Sequence, residues 1–183
     1  LAKNLAHYMI KHFWDADNHS FYMTSDEHES LIVRPKNNYD LSLPSGNSVA
    51  SLVLLRLYHL TQEKQFLEIS TNIMESQAQL AAENPFGFGH LLNTIYMYMQ
   101  KPIEITLINE ENSNMLDAIR KQFLPESIYV TIQNNEQLHN LEQFPFFQGK
   151  KFVDNTSVYV CRDFKCSLPL HTVAEVDAHL DSS

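Results

Sequence analysis

From Val49 to Leu60 the chain is apolar at nearly every position, interrupted only by residues such as Arg56 and His59. The stretch is too short and too often broken to span a bilayer. It reads as a helix that is apolar all round, and such a helix is buried on every side. Asn47 or Ser48 can act as its N-cap, accepting the first free backbone N–H groups. Thr61 to Lys64 is a polar turn, and Glu63 to Leu80 is a second helix with a stripe of Phe66, Ile69, Ile73 and Leu80. Together they predict an αα-hairpin. Only two other clear helices precede residue 101, too few to cover the Val49–Leu60 helix. An exposed apolar patch, with self-association or docking onto further parts of a parent protein, is therefore expected.

Around this hairpin, residues 1 to 13 read as a helix with Leu5, Met9 and His12 or Phe13 on one face. Asp15-Ala16-Asp17-Asn18 breaks it. Phe21–Thr24 and Leu31–Val33 look like the strands of a small hairpin. A third helix, His90 to Gln100, stops at Lys101-Pro102. The pattern then changes. Ile103–Ile108 reads as a strand, Ser113–Phe123 as a helix with Met115, Leu116, Ile119 and Phe123 inward, and Ile128–Ile132 as a strand. That succession is the signature of a parallel βαβ unit. Leu138–Phe147 is ambiguous, Val158–Cys161 is a third strand, and Thr172–Leu180 a final helix. The expected organisation is a helical part, 1–101, and an α/β part, 102–183.

The chain has 183 residues, enough for a sizeable core, and a net charge of −9. An acidic chain whose densest basic spot is Lys150-Lys151 is not built to bind a phosphate backbone. No nucleic-acid or membrane partner is expected. Two cysteines exclude a disulfide-dense scaffold. The opening Leu1-Ala2-Lys3 shows neither an initiator Met nor a signal-peptide pattern. It reads as a piece of a longer protein, with the cytoplasm as the default location.

The segment richest in chemistry is Arg34-Pro35-Lys36-Asn37-Asn38-Tyr39-Asp40, followed by Pro44-Ser45-Gly46-Asn47-Ser48. It places Arg34, Lys36, Asp40, Ser45 and Asn47 on a loop leading into the buried helix, whose N-terminus favours an anionic or hydroxyl-rich ligand. These side chains are expected to cluster there, unless Ser45 and Asn47 only cap the helix and Arg34 only pairs with Asp40. Asp15 to Asp26 superficially resembles a calcium loop. It lacks the glycine at position six and the glutamate at position twelve, so it reads as a turn. A carboxylate from it, such as Asp17, could serve as acid or base. Trp14 is an aromatic that could stack on a sugar. The nine histidines form no H-E-x-x-H, and no metal or other cofactor is expected. Cys161 and Cys166 form a C-x4-C rather than a C-x-x-C. They are expected within disulfide range, as a reversible redox pair held reduced in a cytoplasmic setting.

Phe13-Trp14-Asp15, Phe21-Tyr22, Arg34-Pro35-Lys36, Tyr39-Asp40, Pro44-Ser45-Gly46-Asn47-Ser48-Val49-Ala50 and Leu54-Leu55-Arg56-Leu57 occur in this order. With Tyr159-Val160-Cys161, Cys166 and Pro169, they resemble the YyaL-type family, also called the spermatogenesis-associated, thioredoxin-domain-containing family. The resemblance covers nearly the whole chain. It implies the C-terminal part of a protein with an N-terminal thioredoxin-like domain followed by a six-hairpin α/α toroid, similar to those of sugar epimerases and glycosidases. The expected fold is therefore mostly α: a partial, incomplete (α/α)6 toroid with a C-terminal α/β segment. The expected function is carbohydrate binding or processing. Arg34 and Lys36 would orient the substrate, Asp40 would be the leading acid or base, and Ser45, Asn47 and Trp14 would bind. The alternative is a non-catalytic interaction module working with the thioredoxin-like domain.

Overall fold

The computed structural model describes residues 1–29, 33–109, 114–153 and 155–181. They fall into two compact units, Leu1–Tyr98 and Met99–Ser183. Among the described residues, no helix is long and apolar enough to cross a membrane.

In the first unit, α1 (Ala2–Phe13) leads into β1 (Trp14–Asp15), which pairs antiparallel with β2 (Ser20–Phe21). Of the hairpin expected between Phe21–Thr24 and Leu31–Val33, Leu31 and Ile32 lie outside the described residues, and among the described residues the strand pairing is the earlier one, β1 with β2. The chain turns earlier because the Asp15 carboxylate captures the N–H groups of Asp17 and Asn18, and His19 takes up a left-handed φ of 49°. Beyond β2, Tyr22 bridges to Lys36 and the Met23 N–H donates to the Pro35 carbonyl. On α1 the inward face carries Ala6, Met9, Ile10 and Phe13, while Leu5 points outward.

The αα-hairpin forms from α2 (Gly46–Thr61) and α3 (Lys64–Glu83). The N-cap is Ser45, earlier than the Asn47 or Ser48 expected: its Oγ accepts from the Ser48 N–H, which lets Gly46 begin the helix. Gln62, in the left-handed region, ends it. Inside the hairpin, Ser51 and Ser70 are both fully buried. Their hydroxyls lie 3.0 Å apart, and each also donates to the other's backbone carbonyl. Leu54, Leu55, Leu57, Phe66, Ile69 and Ile73 are buried, with Phe88 and Leu91 adding to the core.

Burial of α2 on all faces is not what forms. Val49 and Val53 are 40% and 42% exposed, and Arg56 is exposed beside them. Positions i, i+4 and i+7 share one helical face, and this one is turned to solvent. Leu80 on α3, at 43% exposure, also lies off the buried stripe; Met74, Gln77 and Ala81 complete it instead. A 3-10 turn (Pro85–Gly87) and α4 (Gly89–Gln100) follow.

The second unit holds a four-stranded sheet in the order β4-β3-β5-β6, built from β3 (Ile103–Ile108), β4 (Ile128–Ile132), β5 (Ser157–Arg162) and β6 (Lys165–Cys166). β3 and β4 are parallel, joined through α5 (Asn114–Lys121), as the βαβ pattern predicts. β5 runs antiparallel to β3, and β6 folds back on β5. The ambiguous 138–147 stretch resolves into the end of α6 (Asn135–Leu141) and a 3-10 turn (Pro145–Phe147). The last helix is α7 (Val173–Asp181). The succession β3-α5-β4-α6-β5-β6-α7, with this strand order, has the connectivity of a thioredoxin-type core.

Because side chains alternate along strands, the two sheet faces differ. One packs Ile103, Ile105, Leu107, Val158 and Val160 against Met115 and Ile119 of α5 and Val176 and Leu180 of α7. Phe123, expected inward, is 89% exposed because α5 ends at Lys121. The other face carries Glu104, Thr106, Ser157, Tyr159 and Cys161, all buried.

Candidate functional site

The site expected in the first unit centres on one carboxylate that was not singled out. Asp15 is buried, and its Oδ2 accepts from Lys36 Nζ at 2.5 Å, the Tyr22 hydroxyl at 2.7 Å and Asn18 Nδ2 at 2.9 Å. Oδ1 takes the backbone N–H groups of Asp17 and Asn18. The Lys36 ammonium above all, then the Tyr22 and Asn18 donors, hold the Asp15 carboxyl far below the usual carboxylate range. Donating its phenol O–H to the Asp15 carboxylate in turn raises the Tyr22 pKa. The Arg34 guanidinium and the Lys36 ammonium lie 4.0 and 4.5 Å from the centre of the Tyr22 ring, within cation–π range. Arg34 does not pair with Asp40 but donates to the carbonyls of His12 and Thr24.

Asp40 is also buried. Its Oδ1 accepts from the Ser45 N–H, and its Oδ2 from the N–H groups of His90 and Leu91 at the start of α4. Burial pushes its carboxyl up. The Ser45 N–H, the Ser48 hydroxyl and the α4 N–H groups outweigh that, so the net shift is downward. Asp40 is thus ionised at neutral pH and anchors two helix entries.

Asn47 works as a stitch. Its Oδ1 accepts from the Phe21 N–H, and its Nδ2 donates to the Phe21 carbonyl, the Asn37 carbonyl and Asn38 Oδ1. Ser45 Oγ bonds to Ser48 as well as capping α2. Trp14 is half-buried against Phe21, with ring centres 4.9 Å apart. Asp17 is exposed on the turn.

Beside this network lies a cavity of about 370 Å³, walled by Phe13, Phe21, Tyr22 and Asn37 and by Gly46 and Asn47 at the start of α2. Of the residues expected to bind or react, only Asn47 lines it. Asp40 and Ser45 are brought together, Asn47 is close by in sequence on α2, and Arg34 and Lys36 gather instead at Tyr22 and Asp15. Asp15 had a visible signal, since an Asp opening a turn can accept from the backbone N–H two residues on, as in an Asx turn. Its role as a five-fold acceptor was not visible. Among the described residues, no group of three or more His, Cys, Asp or Glu side chains could hold a metal ion.

In the second unit, Cys161 and Cys166 are directly opposite each other on β5 and β6. They are joined by a disulfide, with Cα atoms 3.9 Å apart. The Cα atoms are close enough for a direct bond, as expected for the pair. Cross-strand register is the reason, because opposite residues of an antiparallel pair put their side chains on one face. The segment after β3, where a thioredoxin-type core has its C-x-x-C, holds no cysteine between residues 109 and 114.

Comparison with known proteins adds kinship. The chain is 20% identical to human spermatogenesis-associated protein 20 over 172 residues, covering 91% of this chain. The rat protein of that name is 22% identical over the same share. An uncharacterized protein of Caenorhabditis elegans is 21% identical over 90% of the chain. No family model and no solved structure matches. The chain spans about a fifth of the length of these relatives, 22% of the human protein. Over nine tenths of its own length it is a distant homologue of spermatogenesis-associated protein 20, and this homology supports the family resemblance seen in its motifs.

Proposed function

We propose that the first unit supplies one wall of a carbohydrate-binding pocket in a larger helical toroid, and that it binds rather than reacts. The observation that carries this reading is the cavity at the start of α2. Its volume lies within the range of small-molecule sites. Phe13, Phe21 and Tyr22 offer apolar ring surface, while the Gly46 and Asn47 N–H groups open α2 ahead of any intrahelical acceptor and suit a hydroxyl oxygen. The buried Asp40 carboxylate is committed to three backbone N–H groups and does not line the cavity, so it positions rather than transfers protons.

Gly46 gives a clean test, because a Cβ there meets nothing within 4 Å. Saturation-transfer NMR of the full chain with a panel of mono- and oligosaccharides should detect binding. Gly46→Phe, which crowds the cavity, should weaken it at least tenfold while the circular dichroism spectrum stays unchanged. Sugar binding that survives Gly46→Phe, or no sugar bound by the parent protein, refutes the reading.

A second reading, a non-catalytic interaction module beside a thioredoxin-like domain, draws on a different observation. The polar candidates Arg34, Lys36, Asp40 and Asn47 are all engaged in internal bonds, while α2 turns Val49 and Val53 outward. Loss of partner binding in Val53→Lys, with sugar binding unaffected or absent, would favour it.

A further inference from the structure

The polar face of the second unit's sheet brings together groups whose burial needs a reason. Cys161 is fully buried, and Cys166, its disulfide partner, is exposed. Directly opposite Cys161 on β3 is Glu104, 1% exposed, so the carboxylate and the disulfide share one face. Lys150, 4% exposed, places its Nζ 3.7 Å from Cys166 Sγ, donates to the Phe146 carbonyl and lies 4.3 Å from the centre of the Phe146 ring. A lysine buried this deeply beside a sulfur is costly unless its charge has work to do. A cavity of about 360 Å³ opens onto the pair, lined by Gly149, Lys150, Tyr159, Cys166, Ser167 and Leu168 among others. The exposed sulfur is therefore reachable and the buried one is not.

We propose that Cys161–Cys166 is a thiol–disulfide exchange site for a protein dithiol, with Lys150 stabilising the Cys166 thiolate. The incoming thiolate attacks Cys166 Sγ, forming a mixed disulfide, and the Cys161–Cys166 bond breaks with its electron pair on Cys161 Sγ. The partner's second thiol then attacks the partner sulfur of the mixed disulfide, releasing Cys166 as a thiolate next to the Lys150 ammonium. The proton of that second thiol ends on Cys161 Sγ. The partner dithiol is oxidised by two electrons and the Cys161–Cys166 disulfide is reduced by two. In the reverse direction Cys166 is the nucleophile, and a neighbouring ammonium favours its reactive thiolate form.

The charged and titratable groups around Lys150 are Glu104 on β3, Tyr159 on β5, Cys166 on β6 and the adjoining Lys151. Burial lowers the Lys150 pKa to about 8 and Glu104 raises it, so the amine is charged through the neutral range.

The test uses the full chain in two measurements. In the parent protein, dithiothreitol should reduce the disulfide while circular dichroism remains native, and an oxidant should restore it. Reduction only on unfolding would mark the bond as purely structural and overturn the proposal. In Cys161→Ser, iodoacetamide should alkylate Cys166 with a pH midpoint below the ordinary thiol value of about 8.5. Adding Lys150→Met should raise that midpoint by about one unit and slow alkylation at pH 7 about tenfold. The same midpoint with and without Lys150 would overturn the proposal.

Discussion

Asp40 reaches from the loop before α2 to the first turn of α4, its Oδ2 2.9 Å from the backbone nitrogen of His90. The same side chain holds the Ser45 N–H, so one carboxylate fixes the entry points of two helices. Replacing it with Ala strands three N–H groups. Asp40→Ala should therefore destabilise the protein by about 3 kcal/mol, read as a lowered urea midpoint with an unchanged m-value. A loss under about 0.5 kcal/mol, the size of an ordinary surface substitution, would show that water replaces those contacts.

Acid should act through the same kind of group. Asp15 and Asp40 both have pKa values lowered by folding, Asp15 most through Lys36. A lowered folded-state pKa stabilises above the unfolded value and loses that contribution as pH falls below it. Thermal melts should thus show a constant Tm through the neutral range and a fall below about pH 4, where an unperturbed Asp titrates. Asp15→Asn should start less stable at neutral pH and show a shallower acid limb. An acid limb identical to the parent's would place the sensitivity elsewhere.

The two faces of α2 should respond in opposite ways. Leu54 is fully buried, and Leu54→Ala should cost about 2–5 kcal/mol. Its neighbour Val53, half open to solvent, should tolerate Val53→Lys within about 0.5 kcal/mol. Chemical denaturation of the two variants decides this. Equal destabilisation would mean that the outer face of α2 is covered in solution.

Ser51 and Ser70 lock α2 to α3 by reciprocal hydroxyl–carbonyl bonds. Ser51→Ala and Ser70→Ala should each cost about 1 kcal/mol, and the double variant should cost less than their sum. A double-mutant cycle with no coupling would show that the two hydroxyls act independently.

The helices and strands were legible where hydrophobic period and breakers agreed. Ile103–Ile108 and Ile128–Ile132 carry runs of β-branched residues around an amphipathic segment, and both formed as read. The outer face of α2 was not legible, because Val49 and Val53 are as apolar as Leu54 and only the number of neighbouring elements decides which side is covered. The loop into α2 was marked as important, and its polar residues do engage one another. Their bonds are local for Ser45, but Asp40 also reaches His90 and Leu91 some fifty positions along the chain. Lys36 finds Asp15 across 21 positions, and no short-range pattern announces such a pairing. The disulfide follows from strand register, but the buried Lys150 beside it depends on how residues 138–150 cross the sheet, which the ambiguous pattern there left open.

Asn47 ties α2 to Phe21 across 26 residues of chain, whereas α2 and α3 meet over a two-residue connection, Gln62-Glu63. Contacts close in sequence form at low entropic cost, and distant ones wait until the intervening chain has been drawn together. The αα-hairpin is therefore expected to condense first, with the aromatic wall docking onto it afterwards. Mutations in the Ser51–Ser70 seam should slow refolding, while Asn47 variants should mainly speed unfolding. The cavity should consequently be the last part of this unit to close and the first to open, so any molecule bound there would act as a brake on unfolding.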